Sequence, residues 1–343
     1  MPPTIRVLMI TSEWPTAGQP RTTHFIKRQA DFLQAAGIDV DVFHFQGHKN
    51  PLKYLRAWTQ AQRRLTRERY DLVHAQFGQS GLLALPKRIP LVVTFRGSDL
   101  LGIVGDKNGR YTPQGKIGQK ISRMVASRAD AVIVVSEQMK THLPPSIPAH
   151  VIPSGIDFDL FRCMSQEEAR LRLGLPLNER LVLFVGRPTQ ARKRFEIAER
   201  AVEILNRSLP SKLIIAWGVE HTDMPTYMNA CDVLVFTSMQ EGSPNAVKEA
   251  LACNLPVVSV PVGDVAIRIL GIEGCQLCAD DSPETVAASL ERVLRRGQRC
   301  ASRERVKNLD EKIITGQVIR IYQSTLVKRR QPDLRELAVP TNT

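Results

Sequence analysis

The chain has 343 residues, 43% of them hydrophobic, which is room for two domains with separate cores. The formal net charge is +13 and unevenly placed: residues 1–160 carry 21 Lys+Arg against 12 Asp+Glu, giving +9, and the remainder carries 26 against 22, giving +4. No apolar run approaches the roughly 20 residues that span a bilayer, and no secretory leader is legible, so a cytoplasmic protein is expected.

Residues 5–10 form a continuous apolar strand, followed by a polar loop containing Gly18, Arg21 and Thr22. A helix over 23–36, closed by Gly37, leads to a strand at 40–45. Residues 51–70 read as a basic helix with Leu52, Leu55, Trp58 and Leu65 on one face. That helix either packs on its own domain or offers its basic surface to anionic lipid at the inner face of a membrane. Strands at 71–75 and 90–94, a helix at 118–128, and strands at 131–135 and 151–153 complete the first series.

The charged stretch 158–179 reads as an interdomain connection. A second series follows: strand 181–185, helix 194–206, strand 213–217, helix 224–229 and strand 233–236. Strand and helix alternating in both halves indicate an α/β architecture of doubly wound parallel sheets. The expected domains are 1–160 and 161–325, with a last helix within 303–328 and a tail at 331–343. Cys275 and Cys278 have no second ligand pair at zinc spacing and read as buried strand cysteines; all six cysteines are expected to be reduced.

The most informative stretch runs from Glu241 to Glu249. The apolar strand 233–236 ends in a Gly/Ser/Pro turn, and a helix then starts, with Ser243 able to cap it and Pro244 suited to its first position. Such a helix start attracts phosphate. Two carboxylates beside it would repel phosphate but suit the hydroxyls of a sugar, so the pattern points to a nucleotide sugar.

Ser238-x-x-Glu241-Gly242-Ser243-Pro244-Asn245, continued by Lys248-Glu249-Ala250 and Leu255-Pro256-Val257-Val258, resembles the donor-site signature of family 4 glycosyltransferases, where the two glutamates form the E-x7-E motif. The resemblance covers most of residues 5–325 and implies the GT-B fold, two Rossmann-like domains facing a cleft, with the last helix crossing back to the first domain. It implies a retaining enzyme that moves a sugar from a nucleoside diphosphate to a saccharide or lipid-linked acceptor. Glu241 is then expected to bind the donor sugar and Glu249 the ribose, helped by the amides of Gly242, Ser243, Pro244-linked backbone and Asn245. Gly186 and Arg187, at the end of strand 181–185, with Lys193 after them, are expected to hold the diphosphate. Arg192 stands where the family's lysine is usual, and Arg194 replaces the glycine that commonly follows it.

In the first domain, Arg96-Gly97-Ser98-Asp99 stands where the family commonly has His-Gly-x-Asp. Arginine cannot act as a base near neutral pH. Arg96 is therefore expected to contact a hydroxyl, a carboxylate or the phosphate, with Asp99 beside it as a donor-site or turn residue. His74 ends a strand at the cleft. After Gly218 the chain passes almost directly to Asp223, without the helix and strand usual in the family, which shortens the base-binding wall.

No cofactor and no metal are expected. There is no Gly-x-Gly-x-x-Gly after Ile10, and Asp39-Val40-Asp41 and Asp157-Phe158-Asp159 fall outside a cleft position. A sugar-nucleotide epimerase on the same fold is the alternative enzyme. A basic nucleic-acid-binding protein is the alternative of another class; with 6% aromatic residues and no binding motif, no specific nucleic acid partner is expected.

Overall fold

The structure is a computed structural model that describes residues 4–16, 24–47, 50–106 and 108–330. Gly18, Arg21, Thr22 and the tail 331–343 lie outside the described residues. The first sheet contains β1 (Arg6–Thr11), β2 (Asp39–His44), β3 (Leu72–Gln76), β4 (Leu91–Phe95), β5 (Ala131–Val134) and β6 (Ala149–Val151). Its order is β2-β1-β3-β4-β5-β6, and every neighbouring pair is parallel. The second sheet contains β7 (Arg180–Val185), β8 (Ser211–Ala216), β9 (Val233–Phe236), β10 (Val257–Ser259) and β11 (Gln276–Leu277), in the parallel order β11-β10-β9-β7-β8. Helices cover both faces, so the inner strands are apolar at successive positions; Val7, Leu8, Met9 and Ile10 are all fully buried.

In each sheet the order reverses beside one strand, β1 in the first and β7 in the second. Ligands of open α/β sheets bind outside the carboxyl ends at such a point. The last helix, Glu311–Arg330, packs Ile314, Val318 and Tyr322 into the same cluster as Val7, Met9 and Ile133, tying the end of the chain to the first domain. No helix among the described residues is long and apolar enough to cross a membrane.

Two elements differ from expectation. The stretch read as a connection contains the helix Gln166–Leu173, whose hydrophobic periodicity is absent because its face is charged. Its ends were nevertheless written in the chain: Ser165 Oγ accepts from Glu168 N at 3.5 Å, and Gly174 adopts φ +63° at the C-cap. In the basic helix Pro51–Arg67, Trp58 and Leu65 pack inward with Ala57 and Ala61, whereas Leu52 and Leu55 are 74% and 57% exposed. Small alanines let that helix lie close to the sheet and rotate the two leucines outward.

Candidate active site

The helix Asn245–Ala252 is held by Val247, Ala250 and Leu251, all fully buried in the core of the second domain. Its N-cap position is Pro244, and no side chain caps it. Two expectations are corrected here: Ser243 does not cap the helix but donates its hydroxyl to Asp264 Oδ2 at 2.8 Å, and Pro244 precedes the first helical position. A buried carboxylate close by competes successfully for the serine, leaving the helix start without a side-chain cap where Asn245 and Ala246 line the cleft.

Glu241 lies just before this helix. Its Oε1 accepts from Arg192 Nη1 at 2.5 Å and Lys193 Nζ at 2.7 Å. The loop carrying the two cations is fixed against the glutamate loop, since Met239 N donates to Arg192 O at 2.8 Å and Thr237 Oγ1 to Lys193 O at 3.0 Å. Burial alone would push the Glu241 carboxyl up, but Lys193 and Arg192 hold it below the usual carboxylate range. Burial lowers the Lys193 ammonium, against the opposing pull of Glu241. Gly186 has φ +140°, a backbone conformation that favours glycine, and the Lys193 stem lies beside it.

Arg187 departs from its expected place. Its exposed guanidinium stands over the Trp217 ring, 5.6 Å from the centroid, and Arg192 is the second cation at Glu241. The cavity between the domains, about 330 Å³, is lined by Glu13, Arg96 and Ser154 on one side and by Arg192, Lys193 and residues 240–246 on the other. Glu241, Gly242, Ser243, Pro244, Asn245, Lys193 and Arg96 are thus brought to one cavity; Glu249, Gly186, Arg187 and Asp99 are not among its lining.

Arg96 reaches the cavity with its donors already engaged. Nε donates to Gln76 Oε1 at 2.9 Å, Nη1 to Ser154 Oγ at 2.6 Å and Nη2 to Gln29 Oε1 at 2.8 Å. Burial pushes this guanidinium down to about 10. These contacts are within the first domain, and Arg96 still lines the cavity where a contact to the donor is expected. Its carbonyl lies against the second domain: a Cβ on Gly242 would stand 2.9 Å from Arg96 O, so only glycine fits there.

Asp99 accepts from Gly97 N at 2.9 Å, Arg96 N at 3.2 Å and Gly78 N at 3.3 Å. Those bonds make it the anchor of the turn after β4 and not a donor contact. His74 is enclosed as well, with Nδ1 2.6 Å from Tyr322 Oη and Nε2 2.8 Å from Thr94 Oγ1. Burial lowers its pKa to about 3, so it is a neutral pin between the first sheet and the last helix.

Glu249 is buried at a second point of the cleft. Its Oε1 lies 3.3 Å from His221 Nε2 and 3.8 Å from Arg28 Nη1. Burial would raise this carboxyl; His221, Arg28 and Lys248 together lower it. Arg28 comes from the first domain, and its Nε also donates to Glu311 Oε2 at 3.0 Å. His24, one turn before Arg28, stacks on His221 with centroids 4.8 Å apart. Lys248 Nζ crosses the cleft to Ser154 O at 2.8 Å.

Sequence reasoning missed Gln29, Gln76, Arg28, His24, His221 and Lys248. A weak signal existed in the spacing of His24 and Arg28 on one helical face, but their partners lie about 200 residues away in the chain. Among the described residues no cluster of three His, Cys, Asp or Glu is arranged for a metal. Asp41 is bonded to Arg64 at 2.7 Å and Asp159 to Lys312 at 3.0 Å.

Two parallel-sheet domains with a cavity between them, and Glu241, Lys193 and Arg192 at the switch point of the second, have the architecture of a GT-B glycosyltransferase. Residues 5–160 match the family described as Glycosyltransferase Family 4, and residues 181–296 match that described as Glycosyl transferases group 1. The chain is 27% identical to the putative teichuronic acid biosynthesis glycosyltransferase TuaC of Bacillus subtilis, over 84% of this chain and 89% of that protein. Sucrose-phosphate synthase from Thermosynechococcus elongatus superposes with a TM-score of 0.77 at 21% identity, covering 95% of this chain and 100% of that one. Anabaena HepE, solved with UDP and glucose, gives a TM-score of 0.66 at 18% identity, covering 94% and 100%. The chain belongs to the family 4 glycosyltransferases, and it is an enzyme.

Proposed function

We propose that this enzyme is a retaining transferase that moves a sugar from a nucleoside diphosphate to a saccharide or lipid-linked acceptor, without a metal. The observation that carries the reading is Glu241, with its carboxylate between Lys193 and Arg192 beside an uncapped helix start in the interdomain cavity. The diphosphate sits on the two cations and the amides after Gly242, and Glu241 accepts hydrogen bonds from the donor sugar. Glu249 takes the ribose hydroxyls. The cations stabilise charge as the glycosidic bond to phosphate breaks, and the departing phosphate accepts the acceptor's proton. The cleft walls exclude water and suppress hydrolysis.

HepE is a structural relative solved with UDP and glucose, which supports a nucleotide-sugar donor here. The exposed Leu52 and Leu55, beside exposed Lys53 and Arg56, favour an anionic membrane surface as the place where a lipid-linked acceptor is met, on the cytoplasmic side. The test is transfer from a panel of UDP-, GDP-, ADP- and dTDP-sugars, with the product anomer read by NMR. An active donor gives product of the donor's own anomeric configuration, insensitive to EDTA, and Glu241→Ala abolishes it with the fold intact. Full activity in that variant, or an inverted product, would overturn the reading.

A further inference from the structure

The second sheet ends at β8, and the chain leaves that edge strand at Trp217. Only residues 218–223 separate Trp217 from the helix Met224–Ala230. The indole is 57% exposed, a large apolar surface left in water at the carboxyl end of a strand. Val185 is in register with Ala216, and Gly186 N donates to Ala216 O at 3.2 Å, which sets Trp217 level with the Gly186–Arg187 turn. Arg187 lies over the ring, 5.6 Å from its centroid. Gly186 in turn abuts the Lys193 stem, and four residues beyond Trp217 is His221, 3.3 Å from Glu249.

An aromatic face with an arginine across it is the arrangement that accepts a flat π-system. It stands next to the cations assigned to the diphosphate and on the same short segment as His221, which meets Glu249, the carboxylate assigned to the ribose hydroxyls. We propose that Trp217 and Arg187 form the seat of the donor's nucleobase, in place of the wall that the short segment 218–223 does not build. This inference rests on the nucleotide-sugar reading given above. Recognition here is by stacking and not by reading the base edge. It tolerates different bases and holds the larger purine ring more tightly.

The test is calorimetric titration of the full chain with UDP, GDP and inorganic pyrophosphate, comparing wild type, Trp217→Ala, Trp217→Phe and Glu249→Ala. Trp217→Ala is expected to weaken UDP and GDP roughly five- to hundredfold, the range of one lost base stack, with GDP losing more. Pyrophosphate binding stays at the wild-type value, and Trp217→Phe recovers most of the nucleotide affinity. Fluorescence gives a parallel readout: UDP quenches wild type, and Trp217→Phe, which retains Trp14 and Trp58, loses that quench. Wild-type nucleotide affinity in Trp217→Ala, alongside weakened binding in Glu249→Ala, would overturn the base seat and leave the donor reading standing. Loss of pyrophosphate binding in Trp217→Ala would show that the indole shapes the phosphate loop, which also overturns it. If wild type binds pyrophosphate and no nucleotide, both readings fall together.

Discussion

Replacing Glu241 by glutamine separates its two effects on a donor. The carboxylate holds Lys193 and Arg192 at 2.7 and 2.5 Å, so a phosphate using those cations competes with it. The Lys193 and Glu241 side chains are each 14% exposed, so solvent screens the contact little. The amide still accepts from both cations, so the bonds stay charge-assisted, but the attraction between opposite full charges is lost, about 0.5–1 kcal/mol per contact or about 1–2 kcal/mol over the pair. Pyrophosphate should bind Glu241→Gln about five- to thirtyfold more tightly than wild type. Sugar transfer should move the other way, falling by about two orders of magnitude, the scale of losing one preorganised electrostatic contact. Calorimetry with pyrophosphate and initial rates of transfer measure the two effects on the same preparation. Unchanged or weaker pyrophosphate binding in a folded variant would refute the placement of the diphosphate on Lys193 and Arg192.

Other residues give further tests. Burial lowers the Lys248 ammonium to about 7, below the unfolded value of about 10.4, so the unfolded chain binds this proton more readily between those values. Its contribution to stability therefore rises with pH from about 7 to about 10.4, at up to about 1.4 kcal/mol per unit, and denaturant melts of Lys248→Met should show a flatter profile there; an identical slope would refute it. Arg96→Lys cannot keep all three bonds to Gln29, Gln76 and Ser154, so it should lose about 1–3 kcal/mol of stability and several degrees of Tm by calorimetry. A double change of Leu52 and Leu55 to Ser should reduce co-sedimentation with anionic vesicles at unchanged Tm. Vesicle binding equal to wild type would remove this face from the membrane reading.

The strands and the Glu241 turn were legible because each is a local pattern. Runs such as 5–10 and 233–236 declare buried parallel strands through continuous apolar residues, and the turn after Phe236 has its own glycine and proline. Roles that depend on a partner across the molecule were not legible. Arg96 reads from the chain as a donor-site cation, yet its position is set by Gln29, 67 residues earlier, and by Ser154, 58 residues later. The choice between Arg187 and Arg192 was likewise decided by the path of the loop. The 3-10 turn Ala191–Lys193 brings Arg192 onto Glu241, while Arg187 leans over β8 toward Trp217. Arg194, standing where the family commonly has glycine, adopts the left-handed φ of +49°, and its Nε bond to Thr237 O at 2.8 Å helps to hold it there.

On the proposed function, the cross-cleft contacts put donor recognition and domain approach on the same side chains. Arg28 and His24 come from one face of the helix His24–Ala35 and meet Glu249 and His221 of the other domain. Lys248, the residue before Glu249, crosses to Ser154. A ribose that takes hydrogen bonds from Glu249 must therefore enter where the domains already touch. The contacts of Arg28 with Glu249 and of His24 with His221 are individually modest: 3.8 Å between Arg28 and Glu249 is beyond hydrogen-bond length, and a ring stack contributes about 1 kcal/mol. By contrast, Arg28 is firmly held to Glu311, at the start of the helix that returns to the first domain. The firm bond is made to the returning helix, and the modest ones lie beside Glu249, the carboxylate proposed for the ribose. On the proposed function, a donor then has modest contacts to rearrange at Glu249, and the positions of both domains follow from its binding.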